Sequence, residues 1–308
     1  MNGTQEAIGA PPRLSTSLRL VCTEVWGGNR LIDVPVELPG VRGQLYSRPC
    51  AGGRGGDVHY LSVCDSGLIS RICVADVAGH GEAVSTVSTE IHGLVRRHIN
   101  WLDQRRVLKK LNKRLVKIGF DALTTAAAIT YFPPMRRLSV SYAGHPPAWL
   151  YRSEQEQWGQ LPADSNHRRR RGVVNLPLAV EADTTFTRRT LRVAYGDRLL
   201  VLTDGVLEAP DASGELFGVQ RLEELLNERR HASTAEIAEA IIAALVARVD
   251  GGSLSHDDVT LLLVEFVPGP AGPAIWHAIR NRLVHPHGNS DDALFNDPRD
   301  AAGVPSDG

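Results

Sequence analysis

Apolar positions along the chain recur with two different periods, and the changes between them mark out the elements. Residues 18–26, 31–36 and 44–47 are short apolar-rich runs separated by Gly27-Gly28-Asn29 and Pro39-Gly40, the punctuation of antiparallel strands. Residues 59–64 and 68–75 flank Asp65-Ser66-Gly67 and read as a hairpin. From Gly81 the period lengthens: Val84, Val87, Ile91, Leu94 and Val95 recur at three and four, which predicts a helix ending near Asn100. A second stripe of Leu108, Leu111, Leu115 and Ile118 predicts another helix, with Arg105, Arg106, Lys109, Lys110, Lys113 and Arg114 on its solvated faces. Residues 124–131 and 137–142, separated by Phe132-Pro133-Pro134, again read as paired strands, and 148–151 as a further strand.

Residues 154–172 read as a polar insertion carrying His167, Arg168, Arg169, Arg170 and Arg171. Its composition predicts a mobile solvated loop, slightly ahead of a flap whose guanidinium groups meet phosphoryl oxygens or an acidic protein surface. Residues 186–193 and 198–203 read as strands and 220–230 as a helix; Ser233-Thr234-Ala235-Glu236 is a capping box ahead of Ile237, Ile241, Ile242, Leu245 and Val249. Residues 259–266 form a continuous apolar strand. The first 16 residues, with Pro11-Pro12 and no periodicity, predict a loose arm. Beyond Pro268 a mostly flexible tail is expected, with Ile275, Ile279 and Leu283 able to form one short amphipathic helix. The expected organisation is an arm over 1–16, one domain over 17–267 and a tail over 268–308.

Composition narrows the function classes. Lys plus Arg number 34 against 35 for Asp plus Glu, a net charge of -1, so no overall field draws the chain to nucleic acid or an anionic membrane. No apolar stretch approaches the roughly 18 residues of a membrane span, and no leader pattern opens the chain, so a cytoplasmic protein is expected. Cys22, Cys50, Cys64 and Cys73 show no C-x-x-C pair and read as structural thiols. A Cys64–Cys73 cross-strand disulfide is the minority reading in a reducing compartment.

The acids carry the chemistry. Asp76 ends an apolar run in Val74-Ala75-Asp76-Val77-Ala78-Gly79-His80-Gly81. Asp57 follows a glycine-rich stretch that lacks the Lys-Ser/Thr ending of a phosphate-binding P-loop, Asp204 ends the run at 198–203, and Asp257-Asp258 open the last strand. One such Asp reads as a helix cap. Four positions at strand ends, able to converge in an antiparallel sheet system, read as a site for hard divalent cations, Mg²⁺ or Mn²⁺, because carboxylates crowded together repel unless cations neutralise them. Two ions at roughly 3.5–4 Å activate a bridging water for in-line attack on phosphorus. No Cys-x5-Arg loop or Gly-x-Ser-x-Gly elbow supplies a covalent nucleophile instead. His145, wedged between Gly144 and Pro146, reads as a structural hydrogen-bonder ahead of a proton-transfer group.

In order and spacing, Gly55-Gly56-Asp57, Asp76-Val77-Ala78-Gly79-His80-Gly81, Ala143-Gly144-His145-Pro146-Pro147, Gly196-Asp197, Thr203-Asp204-Gly205, Phe217-Gly218 and Asp257-Asp258-Val259-Thr260 resemble the metal-dependent protein serine/threonine phosphatases of type 2C (PPM), above all their bacterial SpoIIE- and RsbU-like branch. The resemblance runs from about Leu18 to Val267. It implies an α+β fold, a four-layer α-β-β-α sandwich of two antiparallel sheets flanked by helices, around a dinuclear Mn²⁺/Mg²⁺ centre. By position Asp76 would bridge both ions, the Val77 carbonyl would join one, and Asp57, Asp204 and Asp257 would complete the shell. Catalysis would rest on Asp57, Asp76 and Asp204. Asp257 is preferred to Asp258 because the family's ligand is the first residue of its acidic pair; Asp258 stays open. His80 lies too far along to match the general acid proposed for eukaryotic relatives, so the leaving-group proton donor is unassigned. The implied substrates are phosphoserine or phosphothreonine proteins, STAS-type anti-sigma-factor antagonists among them, in a bacterial signalling pathway. The competing readings are a catalytically silent phosphoprotein-binding module and a small-metabolite phosphohydrolase.

Overall fold

The computed structural model describes residues 18–19, 25–50, 55–63, 68–79, 82–99, 101, 103–164, 174–249 and 254–269. Among the described residues thirteen strands and five α-helices are formed: β1 Leu18–Arg19, β2 Val25–Gly28, β3 Ile32–Leu38, β4 Val41–Arg48, β5 Val58–Val63, β6 Ser70–Val77, α1 Glu82–His98, α2 Gln104–Leu115, β7 Thr124–Phe132, β8 Arg137–Ala143, β9 Ala148–Arg152, β10 Gln157–Leu161, β11 Arg189–Arg192, β12 Arg198–Leu202, α3 Asp204–Leu207, α4 Gly218–Glu228, α5 Thr234–Arg248 and β13 Val259–Phe266. They assemble into a seven-stranded sheet ordered β1-β3-β4-β13-β12-β9-β10 and a six-stranded sheet ordered β11-β8-β7-β6-β5-β2. All strand pairs are antiparallel except β1 with β3.

Three buried layers explain the stacking. The two sheets meet face to face through Leu45, Ile72, Val74, Ile129, Val140, Leu199, Leu262 and Val264. Period-two burial along β3, with Val34, Val36 and Leu38 inward, is what a sheet with one dry face requires. Central strands such as β5 and β13 are buried almost throughout because helices cover their other face. Val84, Val87, Ile91 and Val95 of α1 and Val107, Leu108, Leu111 and Leu115 of α2 lie on Tyr60, Cys73, Ala75, Ala126 and Ala128 of the six-stranded sheet. On the other side Leu222, Leu226, Ile237, Ile241 and Leu245 of α4 and α5 cover Trp149, Leu200, Leu261 and Leu263. The result is the α-β-β-α layering expected from the sequence. The capping box of α5 is formed in full: the Ser233 hydroxyl accepts from the Glu236 backbone and the Glu236 carboxylate accepts from the Ser233 N–H.

Several boundaries differ from the pattern. Of the run at 18–26, β1 joins one sheet and β2 the other. Ile118 lies beyond α2, which ends at Leu115, and is exposed on the turn before Gly119. The polar stretch after Glu154 contains β10, held by its ladder to β9 and by burial of Trp158 and Leu161, too few apolar positions to show as a period. The strand expected over 186–193 shortens to β11. Ahead of it, the Asn175 side chain takes over the backbone: its carboxamide oxygen accepts from the Thr187 N–H at 2.7 Å. The arm at 1–16, Cys22, Cys64, His80, the arginines at 168 to 171 and the tail helix at 275–283 lie outside the described residues; Cys50 and Cys73 are free thiols. Among the described residues no helix is long and apolar enough to cross a membrane.

Candidate active site

The acids singled out in the sequence gather at one end of the sandwich. Asp57 stands immediately before β5 and Asp76 is the penultimate residue of β6; these strands are neighbours, with Val58 paired to Ala75. Asp204 opens α3 directly after β12, and Asp257-Asp258 precede β13, which pairs with β12. Two strand ends therefore come from each sheet. Hydrogen bonds stitch the sheets together there: the Thr203 hydroxyl donates to Asp57 Oδ2 at 2.7 Å and accepts from the Thr260 N–H at 3.0 Å.

The two members of the acidic pair do different work. Asp258 is buried, and its carboxylate accepts backbone N–H groups from Cys50 at 2.7 Å, from Asp57 at 3.1 Å and from Gly56. It organises the glycine-rich approach to Asp57, and a Cβ on Gly55 would collide with that carboxylate. Asp257 is half-buried and accepts from the Asp258 N–H through Oδ1 at 2.7 Å. Its charge acts on Asp76. The Val77 side chain belongs to the helix-side core, and its carbonyl lies close over Gly56. Gly205 is obligatory: a Cβ there would run into the Asp258 carbonyl oxygen.

Electrostatics mark the cluster as a set of acids in need of cations. Burial, followed by the charges of Asp204, Asp257, Asp258 and Glu208, pushes Asp76 up to about 8. Asp57 is held well above the usual carboxylate range by burial first and by Asp76 next, against the opposing bond from Thr203. Asp204 and Asp257 are raised as well, both chiefly by burial. Asp57 Oδ1 is buried and has no hydrogen-bond partner. An oxygen-only set with an orphaned carboxylate oxygen fits a hard divalent cation. Among the described residues no three His, Cys, Asp or Glu side chains stand close enough to form a ready-made ligand cage. The carboxylates nonetheless share one poorly solvated cleft, in which the charges of Asp204, Asp257 and Asp258 act on Asp76.

Glu208 was missed from sequence. It lies one turn after Asp204, its N–H bonded to the Asp204 carbonyl at 2.8 Å, and its charge raises both Asp76 and Asp204. The available signal was the i, i+4 spacing, which puts two side chains on one helical face, but the single turn of α3 has no apolar period to reveal it. His145 is near the site without facing the acids: its Nδ1 shares a hydrogen bond of 2.9 Å with the Thr125 hydroxyl, and Thr125 pairs with Asp76 across β6 and β7. Burial drives His145 down to about 3, so it is a neutral hydrogen-bonder at ordinary pH.

Two facing, mainly antiparallel sheets with a helical pair on either side and acids collected at one end define the class: a PP2C-like phosphatase fold. Solved structures with this fold include the RsbU and RsbW domains of Rv1364c from Mycobacterium tuberculosis, which align with a TM-score of 0.64 at 20% identity over 79% of this chain and 64% of that one. RsbX in complex with magnesium aligns with a TM-score of 0.56 at 16% identity over 76% of this chain and 100% of that one. The family model described as stage II sporulation protein E (SpoIIE) matches residues 70–267, more than half of the chain, and the chain belongs to that family. It is also similar to the phosphoserine phosphatase RsbP of Bacillus subtilis (strain 168), at 28% identity over 62% of this chain and 45% of the relative. The match thus spans less than half of that relative's length.

Proposed function

We propose that this chain is a divalent-metal-dependent phosphoprotein phosphatase that hydrolyses phosphoserine or phosphothreonine. The observation that carries the reading is the convergence of Asp57, Asp76, Asp204 and Asp257 at one end of the sandwich, with Asp57 Oδ1 buried and unpartnered. Membership of the SpoIIE family and similarity to a relative named as a phosphoserine phosphatase support it. The solved RsbX complex with magnesium supports a divalent ion. Asp76 would hold two Mn²⁺ or Mg²⁺ ions between the sheets, with Asp57, Asp204, Asp257 and the Val77 carbonyl around them. Bound there, the ions would supply a water of lowered pKa and charge stabilisation at phosphorus.

The chain's own residues prepare that chemistry. Thr203 orients the Asp57 carboxylate by donating to Oδ2, leaving Oδ1 free to bind. Asp258 fixes the backbone that presents Asp57. Glu208 adds negative charge beside Asp204, strengthening the pull on a cation. The phosphatase unit is taken as residues 17–267, acting in the cytoplasm on a phosphorylated protein of a signalling pathway, of the STAS-type anti-sigma-factor-antagonist kind.

The test is an assay of the purified chain with Mn²⁺ on an aryl phosphate, a phosphoserine peptide and sugar phosphates, beside Asp76→Asn and Asp204→Asn. Activity on the peptide is expected to fall at least 100-fold in both variants and to vanish with chelator. Wild-type activity no higher than the variants' would overturn the enzyme, and a preference for sugar phosphates would overturn the substrate class.

A further inference from the structure

A cavity apart from the acid cluster lies at the opposite end of the six-stranded sheet. Its volume is about 330 Å³, within the range that takes small molecules. It opens on the helix side where α2 begins, and Thr130 in its wall is five residues along the strands from the Asp76–Thr125 pair, roughly 16 Å at about 3.3 Å per residue. The acids play no part in it.

Beside the apolar Ile69 and Phe132 and a Ser139 hydroxyl paired with Thr190 at 3.0 Å, the lining holds three polar side chains with an unpartnered atom. Ser141 and Gln104 are 1% and 4% exposed, yet Ser141 Oγ and Gln104 Oε1 are buried without a hydrogen bond, as is Thr130 Oγ1. Buried polar atoms are nearly always paired, so three orphans in one cavity ask for a ligand. Gln104 cannot turn its amide over to satisfy itself, because its Nε2 already donates to the carbonyls of Ile99 and Trp101, both at 3.0 Å. Its oxygen is therefore fixed as an acceptor, on a residue of the cavity wall. Two guanidinium groups complete the wall. Arg137 is exposed, and Arg188 is held only loosely, at 3.9 Å from an Asp103 carboxylate that Arg105 already grips at 2.6 Å.

We propose that this cavity binds a small hydroxyl-bearing oxyanion, such as a phosphate monoester or carboxylate of a polyol. Arg137 and Arg188 meet the anionic head, for which guanidinium geometry is suited. The hydroxyls of Ser141 and Thr130 donate to its remaining oxygens. Gln104 Oε1 accepts from a ligand hydroxyl, which a bare anion without a proton to give cannot supply. Because Gln104 is the first residue of α2, occupancy ties the ligand to the start of that helix.

The test is a titration of the full chain, in chelator so that no cation draws anions to the acid cluster, followed by amide NMR or calorimetry at pH 7.5. The probes are glycerol 3-phosphate, glycerate and methyl phosphate. Saturable binding of glycerol 3-phosphate or glycerate is expected, weakened at least fivefold by Arg137→Glu and by Ser141→Ala, and the tighter of the two names the head group. Methyl phosphate, which has no hydroxyl to give, is expected to bind at least threefold more weakly than glycerol 3-phosphate. Arg137 is exposed and Ser141→Ala removes one unpaired oxygen, so both variants should fold. Absence of saturable binding, or binding of equal strength in both variants, would reduce the cavity to a water-filled notch and overturn the proposal. Methyl phosphate binding as tightly as glycerol 3-phosphate would overturn the role given to Gln104.

Discussion

Replacing Asp76 by Asn should make the chelated protein more stable while abolishing phosphatase activity. The physical ground is the cost of holding a buried carboxylate beside Asp204, Asp257, Asp258 and Glu208, which moves its pKa from 3.8 to about 8. Between those values the folded chain keeps a proton on Asp76 that the unfolded chain gives up. A raised carboxyl pKa thus contributes stability that is full below about pH 3.8 and is lost as the pH rises through about 8. At about 1.36 kcal/mol per pH unit the whole shift corresponds to roughly 5–6 kcal/mol. Relaxation of neighbours and entry of water lower this, so a gain of about 2–5 kcal/mol is expected for Asp76→Asn at pH 8. The gain should shrink toward zero near pH 4, where wild-type Asp76 is neutral as well. The assay is urea unfolding in chelator at pH 4, 6 and 8, repeated with excess Mn²⁺, which should stabilise wild type and leave the variant little changed. A variant no more stable than wild type at pH 8, or a difference that ignores pH, would refute the electrostatic account of the site.

Other expectations follow from the same contacts. Thr203→Val removes the hydroxyl shared between Asp57 and the Thr260 N–H, and should cost about 1–3 kcal/mol and weaken Mn²⁺ activation more than maximal rate, read from a metal titration of activity. Gly205→Ala forces a methyl group into the Asp258 carbonyl; soluble yield, melting temperature and activity should all fall, whereas a fully active variant would contradict the close approach of α3 to the acidic pair. Ser233→Ala breaks the α5 capping box and should cost about 1 kcal/mol in urea unfolding with unchanged turnover, since α5 covers the sheet away from the acids.

What the sequence determined by itself was the local physics. Period-two runs, three-four stripes and Gly/Pro punctuation marked nearly every strand and helix, because each element buries one face and the pattern records that burial. The acids stood out because each ended or opened such a run. Weak patterns failed where pairing, not composition, makes the element. β10 exists through its ladder with β9 and the burial of Trp158, and β11 is cut short by the side chain of Asn175. Only the tertiary structure could show that Asp258 takes the N–H groups of Cys50, Gly56 and Asp57, some 200 residues away in the chain. It alone brought Glu208 into the field of Asp76 and placed the orphaned oxygens of Gln104, Thr130 and Ser141 around one cavity. Burial and like-charge repulsion act through space, and a sequence orders residues only along the chain.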